Sequence, residues 1–140
     1  MLHEDPRTYS TQWRVRTYEV DVNGHVNNAV YLNWAEQLAT EHVEAAGFAQ
    51  AWMRAQHAAW IVRCHEITYR RPAVYGDLLQ LTTHAESIKG ARGLRLTTIT
   101  RVADGAAIAD LRTEWVWVRL ADGRPARVPD ELVRFFGPPS

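Results

Sequence analysis

The chain has 140 residues, 46% of them hydrophobic and 23% charged, which is the length of one domain and enough to bury a core without staples. The 16 Lys and Arg balance 16 Asp and Glu, which excludes the basic surplus that nucleic-acid or membrane-surface binding draws on. A single cysteine, Cys64, excludes an internal disulfide and a Cys-rich zinc cage.

No apolar run approaches the roughly 20 residues of a spanning helix. The start, Met1-Leu2-His3-Glu4-Asp5-Pro6, is polar and acidic, unlike a signal peptide, so a cytoplasmic protein is expected. Residues 1–11 and 137–140 read as loose tails. Trp13 to Val20 alternates, with Trp13, Val15 and Thr17 on one face, as a strand does. Residues 21–28, Asp-Val-Asn-Gly-His-Val-Asn-Asn, break the alternation with turn-forming types. Asn27 or Asn28 would cap a helix beginning at residue 29.

Ala29 to Ala46 predicts that helix, with Tyr31, Trp34, Ala35, Leu38, His42 and Ala45 along one stripe and Gly47 just past its end. A shorter helical piece is expected over Phe48 to Gln56. Trp60 to Tyr69 alternates next, with Ile61 and Ile67 opposite Trp60 and Val62, and Cys64 packed as a strand residue. Leu78 to Ile88, Leu94 to Val102 and Ala106 to Ala121 come after it, punctuated by Gly-containing turns. One strand, one long helix and four strands joined mainly by short turns give an α+β class with antiparallel pairing. The whole chain, 1–140, reads as a single domain with an ordered core over about 12–136. The last strand is apolar on both faces: Trp115 and Trp117 on one, Val116, Val118 and Leu120 on the other. That pattern, and six Trp in all, suggests a groove or a contact with another subunit.

The chemistry concentrates ahead of the long helix. Asp21, Asn23, His25, Asn27 and Asn28 crowd into eight residues, whereas a cap needs one. A helix N-terminus offers unpaired N–H groups and partial positive charge, which stabilise an oxyanion. A carboxylate there acts as nucleophile or activates water. The imidazole orients, donates or exchanges a proton near neutral pH. Together these groups suit acyl transfer. A calcium loop fails, because Val26 stands where Gly is required and Leu32 where a bidentate Glu is. His25 and one carboxylate are too few for zinc, so no metal is expected.

Residues 18–28, Tyr-Glu-Val-Asp-Val-Asn-Gly-His-Val-Asn-Asn, followed by Tyr31-Leu32-x-Trp34-x-Glu36, resemble the hotdog-fold thioesterases. The likeness is to the 4-hydroxybenzoyl-CoA thioesterase family and the plant acyl-carrier-protein thioesterases. It extends to Ile67-Thr68-Tyr69-Arg70-Arg71, to Gly76-Asp77 and to the strand order. The resemblance implies a curved antiparallel sheet wrapped around one long central helix, and a homodimer or homotetramer with active sites between subunits. It implies hydrolysis of an acyl-CoA or acyl-carrier-protein thioester, with the acyl chain in a tunnel near the helix start. Asp21 would be the catalytic carboxylate, as nucleophile or general base. His25 and Asn23 would be its polar partners, and backbone N–H groups over Gly24, His25, Val26, Asn27 and Asn28 the oxyanion donors. Glu36 would help shape the pocket. No cofactor is implied, because coenzyme A or phosphopantetheine belongs to the substrate. Pro72 departs from the plant pattern, which has a carboxylate just after Tyr-Arg-Arg, and this favours the bacterial acyl-CoA mode.

The remaining residues divide between packing and substrate. Tyr31, Trp34 and Leu38 read as helix core, with Tyr31 also placed to line an acyl pocket. His65 and His84 read as structural or exposed strand residues, and His42 as packed or at an interface. Arg70, Arg71, Lys89 and Arg92 match the phosphates of coenzyme A or are solvated charges. Two rival functions stand beside hydrolysis. One is a hotdog enoyl-CoA hydratase or dehydratase, whose Asp-to-His spacing is usually longer. The other is a non-catalytic acyl-CoA-binding protein.

Overall fold

Five alternating segments pair into one antiparallel sheet in the computed structural model, which describes residues 1–137. The strands are β1 (Thr8–Arg14), β2 (Ala58–Tyr69), β3 (Leu78–Lys89), β4 (Arg92–Arg101) and β5 (Ala107–Arg119). Their order across the sheet is β1-β3-β4-β5-β2. Tight turns at Gly90 and Gly105, both with positive φ, join β3 to β4 and β4 to β5 as hairpins. The turn rule does not extend to β2 and β3. Residues 70–77 carry the chain from one side of the sheet to the other, so β2 pairs with β5 alone and forms an edge.

The long helix α1 (Val30–Ala45) buries Tyr31, Trp34, Ala35, Leu38, Ala39 and His42, the spacing of a single stripe. Gly47, at φ +97°, lies past its end as expected. A second helix, α2 (Gln50–Ala55), is shorter than the predicted piece. Two apolar clusters lie between sheet and helices. One gathers Tyr31, Trp34 and Leu38 of α1 over Leu79, Leu81, Ile99 and Leu111. The other holds Ala58, Trp117, Val128, Leu132 and Phe136. His42, Thr83, Arg95, Thr97 and Thr113 are also buried, linked in part by side-chain hydrogen bonds. The α+β architecture, a curved antiparallel sheet against one long helix, is the one the resemblance implies.

Several expectations are corrected. The first strand starts at Thr8, because Tyr9 to Arg14 pair with β3 from Thr83 to Leu78. The N-terminus is therefore no loose tail; the Met1 amine also donates to the Ser10 carbonyl. The strand ends at Arg14 rather than Val20, and Thr17–Glu19 forms one 3-10 turn. The Glu19 carboxylate accepts from the Arg16 N–H at 2.8 Å and closes that turn. Toward the C-terminus, α3 (Asp130–Phe136) was not foreseen; Leu132 and Phe136 anchor it in the second cluster. Gly137 is buried at its end, and 138–140 lie outside the described residues.

A β-bulge explains a further difference. The register of β2 against β5 shifts between Val62 and Cys64, so Arg63 is the extra residue. Past that point the alternation inverts. Ile67 packs against the first cluster while Trp60 packs against the second, both on the inner face, and Ile61 is exposed. Cys64 is exposed, not packed, for the same reason. Among the described residues no helix is long and apolar enough to cross a membrane.

Candidate active site

Residues 20–28 fold into a small knot ahead of α1. The Asp21 N–H donates to the His25 carbonyl at 2.8 Å, and the Gly24 N–H to the Asp21 carbonyl at 3.0 Å. Gly24 takes φ +78°, which a side chain disfavours. Val20 bridges Val26, and His25 bridges Val74. The knot is thus tied at both ends to backbone rather than left as a free loop.

Asp21 is half-buried, and its Oδ1 accepts from the Asn23 N–H at 2.9 Å. Its Oδ2 has no hydrogen-bond partner among the described residues. The side chains of Asn23 and His25 are exposed and do not bond the Asp21 carboxylate; the Asn23 N–H holds the carboxylate, and the His25 carbonyl holds the Asp21 N–H. Neither Asn27 nor Asn28 is the formal cap of α1, which is Ala29. Asn27 does the work of one: its Oδ1 accepts the Ala29 N–H at 2.9 Å, and its carbonyl accepts the Val30 N–H at 2.9 Å.

The set of oxyanion donors narrows. The N–H of Gly24 is used by Asp21, that of Val26 by Ala73 (2.9 Å) and that of Asn27 by Glu19 (2.9 Å). An N–H spent inside the fold is not offered to a substrate, so these three amides are not available as oxyanion donors. Val26 is also a core side chain. The His25 and Asn28 amides have no acceptor among the described residues. The Asn28 carbonyl is occupied, accepting the Tyr69 hydroxyl at 2.8 Å.

Tyr31 is core rather than pocket. It is 2% exposed, packed edge-on against Trp34 and Tyr69, and burial pushes its phenol up. Glu36 is exposed on α1, with Oε2 3.8 Å from His65 Nε2, while His65 Nδ1 bonds Thr113 Oγ1 at 2.9 Å. Arg70 directly follows β2, but Asp110 already pairs with it. Arg71, next to it, is exposed. Lys89 and Arg92 sit at the opposite end of the sheet, about 36 Å away along β3. Within one chain they do not converge with Asp21, and Arg92 pairs with Glu114 at 3.4 Å. His84 is structural, bonded through Nδ1 to Thr8 Oγ1 at 2.8 Å.

Two residues the sequence did not single out matter here. Glu19 is 5% exposed and accepts from the indoles of Trp13 (3.1 Å) and Trp34 (2.8 Å). Its carbonyl also holds Asn27, so it braces the knot against α1. The only signal for it was a carboxylate three residues after Arg16, a turn-closing spacing. Arg95 is the other, buried on β4.

Two cavities flank α1. One of about 380 Å³ lies near its start, lined by Trp13, Glu19, Val30, Trp34 and Glu41 among others. The other, about 390 Å³, is mainly apolar and lies against the second half of α1, between Val43, Phe48, Met53, Trp60, Trp115 and Phe136. The cavity near the helix start, where the tunnel was expected, also has mostly apolar walls, so apolar space lies along both halves of α1. Trp117 packs in the core, and Trp115 lines the cavity against the second half of α1. Among the described residues no cluster of His, Cys, Asp and Glu is arranged to hold a metal ion.

The comparisons with known proteins agree with the fold. The chain is 36% identical over 122 residues to the long-chain acyl-CoA thioesterase FadM of Escherichia coli, covering 87% of this chain and 92% of that protein. It is 30% identical to the chloroplastic oleoyl-acyl carrier protein thioesterase 2 of Arabidopsis thaliana, over 94% of this chain but only 37% of that longer protein. Among solved structures, the "YbaW Probable Thioesterase" of Escherichia coli superposes with a TM-score of 0.77 at 33% identity, covering 89% of this chain and 93% of that one. Residues 15–136 match the thioesterase-like superfamily. The chain belongs to that superfamily, as a thioester hydrolase of the hotdog type.

Proposed function

We propose that the protein hydrolyses acyl-CoA thioesters at the knot ahead of α1, with Asp21 delivering the attack. Asp21 Oδ2 either bonds the thioester carbon itself or takes a proton from the water that does. The C–S bond breaks, the water's hydroxyl ends on the acyl carbon to complete the acid, and its other proton ends on the pantetheine sulfur, which leaves as a thiol. The Asn28 amide, at the positive end of α1, faces the developing oxyanion. The exposed His25 imidazole meets the substrate or the leaving group.

The observation that carries this reading is the Asp21 carboxylate itself. One oxygen is fixed by the Asn23 N–H, and the other is left without a partner just ahead of a helix N-terminus. The likeness to FadM supports acyl-CoA as the substrate class.

A second copy of the chain completes the site in this proposal. Asp21 lies ahead of α1, whereas the cavity between Trp60 and Phe136 lies toward the far end of a helix about 24 Å long. β2 is an edge strand of 12 residues, long for one left uncovered. Pairing of β2 with its copy in a homodimer covers that edge and brings knot and cavity from different chains together. Arg71 and Lys89 are then cations available for the phosphates of coenzyme A, while Arg92 is already paired with Glu114.

A panel of acyl-CoA thioesters read by thiol release tests the function. Release of free thiol is expected. Loss of enoyl absorbance without thiol indicates a hydratase, and tight binding of coenzyme A esters with neither signal indicates a binding protein.

A further inference from the structure

We propose that the apolar cavity against the second half of α1 binds a carboxylate carried on an aliphatic chain, and that Arg95 is the residue that selects it.

Arg95 faces the inner side of β4, opposite Ala85 on β3 and Thr113 on β5, both buried. Only 8% of it is exposed, and it lines the cavity with Val43, Met53, Trp60 and Phe136. Burial draws its guanidinium down to about 10, which leaves it charged at neutral pH. Its partners are both uncharged. Nη1 donates to His42 Nδ1 at 2.8 Å and to Thr83 Oγ1 at 3.2 Å.

His42 is itself neutral, by a geometric argument. A guanidinium only donates, so His42 Nδ1 is an acceptor; its Nε2 then carries the hydrogen and donates to the Pro6 carbonyl at 2.8 Å. The Phe136 ring, 5.8 Å from the guanidinium carbon, adds a weak cation–π contact but no counter-charge. Among the described residues no carboxylate forms an ion pair with Arg95; Glu44, on the cavity's rim, is exposed.

A guanidinium carries five N–H groups, and Nη1 accounts for two of them. The Nε and Nη2 hydrogens are left without an acceptor among the described residues, beside an apolar space of about 390 Å³. A buried charge without a partner is unfavourable, and a carboxylate supplies both the opposite charge and two oxygens in a matching fork. The apolar walls take the methylene chain. Two sources share this chemistry: the far end of an ω-carboxyacyl thioester, or a free fatty acid. Only the first depends on the proposed thioesterase reading.

Calorimetric titration of the full chain with decanoate and with decanol tests the binding without any turnover. Decanoate is expected to bind about 10-fold or more tighter than decanol, the scale of a charge-assisted pair. Arg95→Met, and separately Arg95→Gln, should abolish that preference. Equal affinity of the wild-type chain for the two ligands overturns the proposal without reference to any variant, as does a preference that survives in a folded Arg95 variant.

Thiol release then identifies the source. A higher kcat/KM for sebacoyl-CoA than for decanoyl-CoA, lost in Arg95→Met, places the carboxylate on the substrate. Competitive inhibition of decanoyl-CoA hydrolysis by decanoate, weakened in the same variant, places it on a free acid. If no thioester is cleaved, the proposed function fails while the calorimetry still decides the role of Arg95.

Discussion

The Trp34 indole donates to Glu19 Oε2 at 2.8 Å, tying the central helix to the turn that precedes Asp21. Glu19 accepts from Trp13 and from the Arg16 N–H as well, so one buried carboxylate joins β1, the 3-10 turn and α1. Its carbonyl holds the Asn27 N–H. The position of the candidate catalytic knot is set by this brace.

Glu19→Ala strands two indole N–H groups and is expected to destabilise the fold by about 2–4 kcal/mol. Glu19→Gln keeps an acceptor oxygen and should lose less than half of that. Urea unfolding measures both, and thiol release should fall more in the Ala variant, because the knot shifts.

Asp21→Asn preserves the oxygen that accepts from the Asn23 N–H while removing the charge. The variant should fold normally and lose turnover by about 10²-fold or more. Circular dichroism with thiol release checks the pair of statements. Full activity in a folded Asp21→Asn protein removes Asp21 from the mechanism.

His42 makes stability depend on pH. Burial, and then the neighbouring Arg95 charge, lower its imidazole from 6.5 to about 4. Between those values the unfolded chain binds a proton that the native chain does not. The contribution is therefore whole above pH 6.5 and is lost as pH falls toward 4, by up to about 3 kcal/mol. Urea unfolding at a series of pH values should show this slope, and His42→Gln should flatten it.

Gly93 bears on chain length. A Cβ there would lie 3.2 Å from Trp60 Cη2, and both residues line the apolar cavity. Gly93→Ala adds a methyl at the cavity wall and crowds that indole. The preference for acyl length should move toward shorter chains, read as kcat/KM across the acyl-CoA panel.

The helix stripe, the hairpins and the polar run from Asp21 to Asn28 were legible in the sequence because each is written in neighbouring residues. Periodicity and turn chemistry act over a few positions, and they located the candidate carboxylate. What the tertiary structure decided was contact between distant segments. Thr8 to Gln12 carry little apolar alternation and become a strand only because β3 pairs with them. The bulge at Arg63 turned Cys64 outward and Ile67 inward, an inversion that strict alternation does not encode. Glu19 and Arg95 look like ordinary surface charges along the chain. Their burial comes from partners 15 and 53 residues away, Trp34 and His42, and only folding brings those groups together.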